Sequence, residues 1–572
     1  MLRYWPMSRL AAAGLFVFSA LAFAQHQHVT ESGYDLDPAT LPPAVKIEGL
    51  GSSHIAITTK SPEAQQWFDQ GVNLLHSFWD YEAMRSFEQA IRLDPDCAMC
   101  HWGLYRALTF GLREKAARAE LAKARSLMDK ATEHERFYIR AAANRQDARD
   151  KGDQDSTAYR DEMQKLIDQY PDDVEAKLFL FDGGLDWGYK PDGDPRPDTI
   201  FAQSMLRDIL HSDPNNAAAN HYYIHAVESG KHAEWGLASA ERLGRLAPAS
   251  SHMVHMPGHI YYRIGDYDKA RQVFLAALKV DEDYMRREHV SPVDDWNYAH
   301  NVSYLISACA EEGRLSEAQT LLARLKGVSD HPDHTNNPQF YIFQIAATGA
   351  RLNLRFAQWG RVIENPLAFG VSDADLDAFA RAYRDGLVAY ARGMQAIDSG
   401  DLNTADRASD QLDAILWRNS QQQAGDKEKG MQRSVGRILG VASLELRGNI
   451  ASGRNQFDQA RDLLTQAAKT ERDLGYAEPP QYSRPAQESL GYACIRAARY
   501  EEARQAFEQV LEERPKSGFG LYGIALAYEK EGNAGKAASA YRAFLDAWKD
   551  ADPDLPQIVA ARRFLAEPRP AR

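Results

Sequence analysis

Cysteine is scarce in this chain, four in 572 residues, which excludes a disulfide-built scaffold. Basic charge is short as well. Lys and Arg number 67 against 80 Asp and Glu, for a net charge of −13. No block of Lys or Arg forms the stripe that a phosphate backbone needs, so a nucleic-acid partner is excluded. Beyond the first 24 residues no apolar run approaches the ~18 residues of a membrane span. The familiar catalytic signatures are missing too: no G-x-S-x-G elbow, no phosphate-binding glycine loop and no H-E-x-x-H. Asp294-Asp295 beside Trp296 is a carboxylate pair of a common kind. The sequence does not point to an enzyme.

What is present begins with an export leader. Arg3 and Arg9 give it a positive start, Leu10 to Leu21 an apolar middle, and Ala22-Phe23-Ala24 a small-x-small cleavage site before Gln25. The mature chain is expected in the periplasm or outside the cell. At this length one compact core is excluded and several domains or a repeat array are expected, while an apolar content of 44% calls for a folded chain.

The repeat is legible at residues 64–97. Trp67, Gly71 and Leu74 fall on a first helix, Ala83, Phe87 and Ala90 on a second, and Pro95 at the exit. Small residues let the helices approach and large ones fill the gap. This spacing resembles the tetratricopeptide (TPR) consensus of about 34 residues. The register returns at Ser251 (Gly258, Tyr261, Ala270, Phe274, Ala277), at Arg484 (Leu490, Gly491, Ala503, Phe507, Pro515) and at Gly518 (Tyr528, Ala537, Tyr541). Weaker copies start near Ala98, Ala217, Ala299, Gly386 and Val441. The expected fold is an all-α helix-turn-helix solenoid of about nine repeats, with a concave groove for a protein or peptide partner.

The organisation reads as follows. The leader covers 1–24, an extended strap 25–60, an N-terminal repeat pair 61–132, and an irregular helical segment with a Gly/Pro/Asp-rich loop 133–215. Central histidine-rich repeats cover 216–326, degenerate repeats 327–480, a C-terminal pair 481–550 and a tail 551–572. A polar loop near 326–339 carries His331 and His334.

Residues 211–300 hold nine of the 17 histidines. In a TPR, positions 2, 5, 6, 9, 12 and 13 of each first helix face the groove, because spacings of three and four share a helix face. His221, His225 and Glu228 take positions 5, 9 and 12 of one repeat. His252, His255 and His259 take positions 2, 5 and 9 of the next, and His300 takes position 2 of the one after. Tyr222 and Tyr262 accompany them as candidate groove residues. His221 and His225, like His255 and His259, have the i, i+4 spacing by which a helix offers two imidazoles to one metal. These four are the candidate ligands, for Zn, Cu, Ni or Fe, in a metal-binding protein or a metalloenzyme. Met256 faces the groove in this register and Met253 does not. Pro257 falls mid-helix, where it removes a backbone hydrogen bond and displaces the Met253 carbonyl, so a kink is expected there. The plain alternative is that the histidines hydrogen-bond water or the tyrosines 222, 223, 261 and 262.

Cys97-Ala-Met-Cys100-His101 matches the c-type haem signature C-x-x-C-H. Its position tells against haem. Cys100 takes a slot where a repeat buries a small residue, so a local disulfide or buried thiol pair is the better reading. Cys309 and Cys494 read as small buried hydrophobes. His76 reads as a helix C-terminal histidine beside packing aromatics.

The segments LLHSFWDYEAMRSFEQAIRLDPDCAMCHWG, NHYYIHAVE, HMVHMPGHIYYRIGDY, YAHN and FGLYGIALAYEKEGN resemble a widespread family of exported bacterial TPR proteins. The likeness spans about residues 52 to 550. The resemblance implies that the six histidines are a family feature, that Ala normally stands where this chain has Cys100, and that Ser stands in place of Gly258 with the histidines unmoved. It implies no activity.

Overall fold

The computed structural model describes residues 38–110, 113–153, 156–292, 295–329, 341–367, 376–425 and 429–567. The expected leader, His331, His334 and Asp294 lie outside them. Among the described residues the secondary structure is helical, apart from one isolated bridge between Tyr189 and Pro195. Among the described residues no helix is long and apolar enough to cross a membrane.

The unit of the fold is a pair of antiparallel helices held by a phenylalanine wedge. Pro62–His76 packs on Asp80–Leu93, and Phe87 fills the space above Gly71 and Gly103. A Cβ at Gly71 would meet the Phe87 ring at 2.6 Å, and one at Gly103 at 2.3 Å. The same device recurs with Gly258 under Phe274, and with Gly491 and Gly523 around Phe507. Only glycine lets the helices close to this distance. Capping side chains start the helices locally: Ser61 accepts from the Ala64 N–H, Asn216 from Ala219, and Thr132 with Glu135 forms a reciprocal capping box.

Residues 133–212 continue the stack as two more pairs, Glu133–Asp150 with Thr157–Gln169 and Val174–Gly184 with Pro197–Ser212. The Gly/Pro/Asp-rich loop joins the last two helices. Ahead of the first pair, residues 41–60 run extended across the repeats. The Ile47 N–H donates to Gln70 (3.0 Å), the Ser53 N–H to Asn73 (3.0 Å) and the Thr58 hydroxyl to Glu135 (2.7 Å).

The superhelix winds tightly enough for distant segments to touch. The Tyr284 hydroxyl donates to Glu82 (2.7 Å), and the Trp548 indole to the Glu311 carbonyl (2.7 Å). The turn at Gly265 is pressed against Pro515, whose carbonyl oxygen a Cβ there would meet at 2.1 Å. With a φ of +75°, this turn needs glycine twice over. The central repeats therefore lie between an N-terminal hairpin and a C-terminal loop of the same chain.

Candidate metal centre

Three helical segments carry the histidines. Ala217–Glu228 is buried on every face. Next comes a broken helix, Ser251–His255 followed by Pro257–Arg263, with Met256 at the joint. Pro257 has no N–H to give the Met253 carbonyl, and the His259 N–H makes a short-range bond to the Met256 carbonyl (3.1 Å). The expected kink is a one-residue interruption at Met256, whose backbone stays in the right-handed helical region (φ −55°, ψ −36°). Trp296–Glu311 supplies the third segment.

The six histidines meet, but not on an open groove. His221, His225, His252, His255, His259, His300 and Glu228 are each at most 3% exposed. The expectation of side chains displayed to a partner is corrected here, because the chain fills its own concavity. Phe78 enters from the turn after Pro62–His76 with a φ of +53°, its ring 4.7 Å from His221, 5.6 Å from His225 and 5.3 Å from His252. Tyr476 and Glu478 enter from the C-terminal side. Glu478 lies 3.4 Å from His259, and the Tyr476 hydroxyl 3.5 Å from Glu228.

The histidines sort into two triads. In the first, His225 Nε2 lies 3.0 Å from His221 Nε2, which lies 3.1 Å from His252 Nε2. Each ring is anchored through its other nitrogen. His221 Nδ1 donates to the His76 carbonyl (2.6 Å), His225 Nδ1 to Glu228 (2.6 Å), and His252 Nδ1 faces the Asn297 amide oxygen at 3.4 Å. Asn297 is itself oriented by Ser251 and Asp281, which take its amide protons. A neutral imidazole has one donor and one acceptor. With Nδ1 donating outward, three Nε2 lone pairs point at one another. Neutral rings cannot satisfy that arrangement, and a shared cation can. A proton is a poor choice at His221, whose pKa lies well below the usual 6.5 through burial and the neighbouring His225.

The second triad is His255, His259 and His300, with ligand nitrogens within 4.8 Å of one another. His259 Nδ1 donates to the second oxygen of Glu228 (2.6 Å), and its Nε2 lies 2.6 Å from His255 Nε2. Burial lowers the His259 pKa, but Glu478 and Glu228 outweigh it and carry it to about 10. His300 is pushed down to about 4 by burial and by His259. Gln344 lies close enough to favour its charged form without a hydrogen bond of ordinary geometry. Glu228 serves both triads, one oxygen each. Burial would raise its pKa, but His225 and His259 hold the carboxylate well below the usual range. Glu228, His259 and Glu478 form a further group of the same closeness.

The four expected ligands, His221, His225, His255 and His259, are thus divided between two positions, and His252 and His300 complete them. Tyr222 stands behind the first triad with its hydroxyl on His76 Nδ1 (2.9 Å). His76 is a buried bridge rather than a packed helix end, its Nε2 on Glu175 at 2.7 Å. Tyr262 lies outside both triads, its ring 5.1 Å from Tyr304, which in turn lies 4.9 Å from His259. Met253 and Met256 are both buried. Tyr304 was open to sequence reasoning as the i+4 neighbour of His300. Phe78 and Glu478 were not, since nothing local marks them.

The haem-like pentad is built differently from a haem site. Cys97 and Cys100 form a disulfide, which uses both thiols. His101 Nδ1 is bonded to Glu120 (2.6 Å), and its Nε2 to the Pro95 carbonyl (3.2 Å). Cys309 and Cys494 are buried free thiols.

Family models described as tetratricopeptide repeat match residues 446–518, 489–556 and 252–284. Among solved structures, the chain is similar to the human IFIT1 dimer with PPP-AAAA (13% identity, 80% of this chain and 91% of that one, TM-score 0.36). It is also similar to yeast Tom70 (14% identity, 88% and 94%, TM-score 0.29) and the P58(IPK) TPR domain (14% identity, 69% and 98%, TM-score 0.20). No curated protein matches the sequence.

Proposed function

We propose that this chain, a tetratricopeptide-repeat solenoid, is an exported metal-binding protein with two adjacent three-histidine positions joined by Glu228. One observation carries the reading: His221 Nε2 lies 3.0 Å from His225 Nε2 and 3.1 Å from His252 Nε2, while the Nδ1 of each ring is turned to an oxygen. Histidines that bind metals almost always anchor the second ring nitrogen on a carboxylate, carbonyl or water. Three imidazoles suit Zn or Cu, and also Ni or Fe. The leader at 1–24 supports export, and mature protein should begin at Gln25.

A second reading, an interaction scaffold, is supported by the repeat array itself. A protein partner fits the outer array, where Trp417 is 65% exposed, rather than the filled histidine repeats.

The test is metal analysis of mature protein purified from an exporting host without chelators, with its visible spectrum. Two equivalents of transition metal are expected, with one lost in the His221→Ala/His225→Ala variant and no haem Soret band. Folded protein that takes up no Zn or Cu after incubation and desalting contradicts the proposal.

A further inference from the structure

The repeats ahead of the histidines hold a cluster of arginines. Three successive first helices build it, Ala98–Phe110, Glu133–Asp150 and Val174–Gly184. In such a stack the first helices line the concave face. Gly183 has no side chain, and two guanidinium ends close over it. A Cβ there would stand 3.0 Å from Arg145 Nη1 and 3.2 Å from Arg106 Nη1. The Tyr159 ring lies beside both cations, its centre 5.8 Å from the Arg106 guanidinium carbon and 5.6 Å from that of Arg145. Arg149 follows Arg145 one turn later on the same helix face.

The carboxylates around this point are already engaged. Asp182 is bonded by Arg106 Nη2, which leaves Arg106 Nη1 unused. Asp147 and Asp150 share a helix with Arg145 and Arg149, but are taken from the neighbouring helix by Arg125 (2.9 Å) and Arg118. Glu175 is held by His76 (2.7 Å), Asp186 by Arg196 (2.8 Å) and Asp198 by Arg160 (2.6 Å). Asp153, past the end of the helix, bonds neither free arginine. Among the described residues, then, Arg145 and Arg149 make no side-chain hydrogen bond and no ion pair.

Two guanidiniums are thus left without a counter-ion. Both are half-buried rather than enclosed, so a ligand in the groove can reach them. Burial, Arg149 and Arg106 together depress the Arg145 pKa to about 10. A partly desolvated cation beside two others is costly until an anion joins it.

We infer that this part of the groove binds the phosphate group of a small molecule, its oxygens on Arg145 and Arg106 Nη1 and its charge shared with Arg149. A dianion balances two spare guanidiniums, whereas a carboxylate leaves one over. A tetrahedral group also accepts from several guanidiniums at once. Free phosphate and a small phosphate ester share this chemistry. The binding does not rest on the metal reading.

The test is isothermal titration of metal-free protein, in a phosphate-free buffer at matched ionic strength, with inorganic phosphate, O-phosphoserine and acetate. Removing metal keeps the histidine positions from taking up the anion. Phosphate should bind saturably, once per chain, and at least tenfold more tightly than acetate. Phosphoserine binding as tightly assigns the site to esters, and its exclusion assigns it to the free anion. Arg145→Gln should weaken phosphate at least tenfold while its urea midpoint stays level or rises, since the variant removes an unpaired cation; a purely structural arginine would lower the midpoint. Gly183→Ala keeps every charge, parts the two guanidiniums and should weaken phosphate as well. No saturable heat with phosphate, acetate bound as tightly as phosphate, or phosphate binding unchanged in both variants overturns the assignment.

Discussion

Glu228 Oε1 lies 2.6 Å from His225 Nδ1, one turn back on the same helix. That contact turns the other face of the imidazole toward His221. The second oxygen does the same for His259, a repeat away. Glu228→Gln keeps the shape and loses the charge. Loss of such outer-shell partners costs about 10–100-fold in metal affinity. Chelator-competition titration should show that loss at both positions. A loss at one only would mean that Glu228 does not join them.

Gly258 and Phe274 make the next prediction. The family resemblance implied that Ser at 258 leaves the histidines in place. In this chain a Cβ there would stand 2.3 Å from the Phe274 ring, which lies 4.7 Å from His255. Gly258→Ser should therefore cost about 1–3 kcal/mol and weaken the second metal position more than the first. Urea unfolding and metal titration check both. An unchanged unfolding midpoint would mean that Phe274 yields freely.

How much of this was legible in the sequence follows from where each residue comes from. The i, i+4 pairs and the repeat register identify His221, His225, His255 and His259 because helix periodicity is local. The same register assigns His252 and His300 to position 2. It does not show that position 2 of one repeat completes the triad of the repeat before it, because inter-repeat packing sets that. Phe78 and Glu478 reach the site from about 140 residues before His221 and 220 after His259 through the pitch of the superhelix, which no local pattern encodes. For that reason the expected open groove is a buried centre.

Phe78 covers the first triad at 7% exposure. Phe78→Ala should cost about 3 kcal/mol and speed metal release from that position. Stopped-flow transfer to a chromogenic chelator measures the release. Equal rates in wild type and variant would remove Phe78 as a cover.

Glu311 sets an acid limit on the fold. Burial alone would raise its carboxyl, but Arg355 and Arg514 outweigh burial and hold it down to about 2. A carboxylate depressed in the folded state stabilises fully above its unfolded pKa of about 4.3, and loses that contribution as pH falls toward 2. The shift corresponds to about 3 kcal/mol. The stability gap between wild type and Glu311→Gln should be full at pH 6 and shrink between pH 4.5 and 2. A gap constant across that range in urea unfolding would contradict the pairing.

X-ray absorption of the chain loaded with two equivalents of Zn or Cu tests the central claim most directly. Three imidazole nitrogens per metal at about 2.0 Å are expected, with the imidazole scattering reduced in the His221→Ala/His225→Ala variant. A shell dominated by oxygen, unchanged in that variant, would contradict the account.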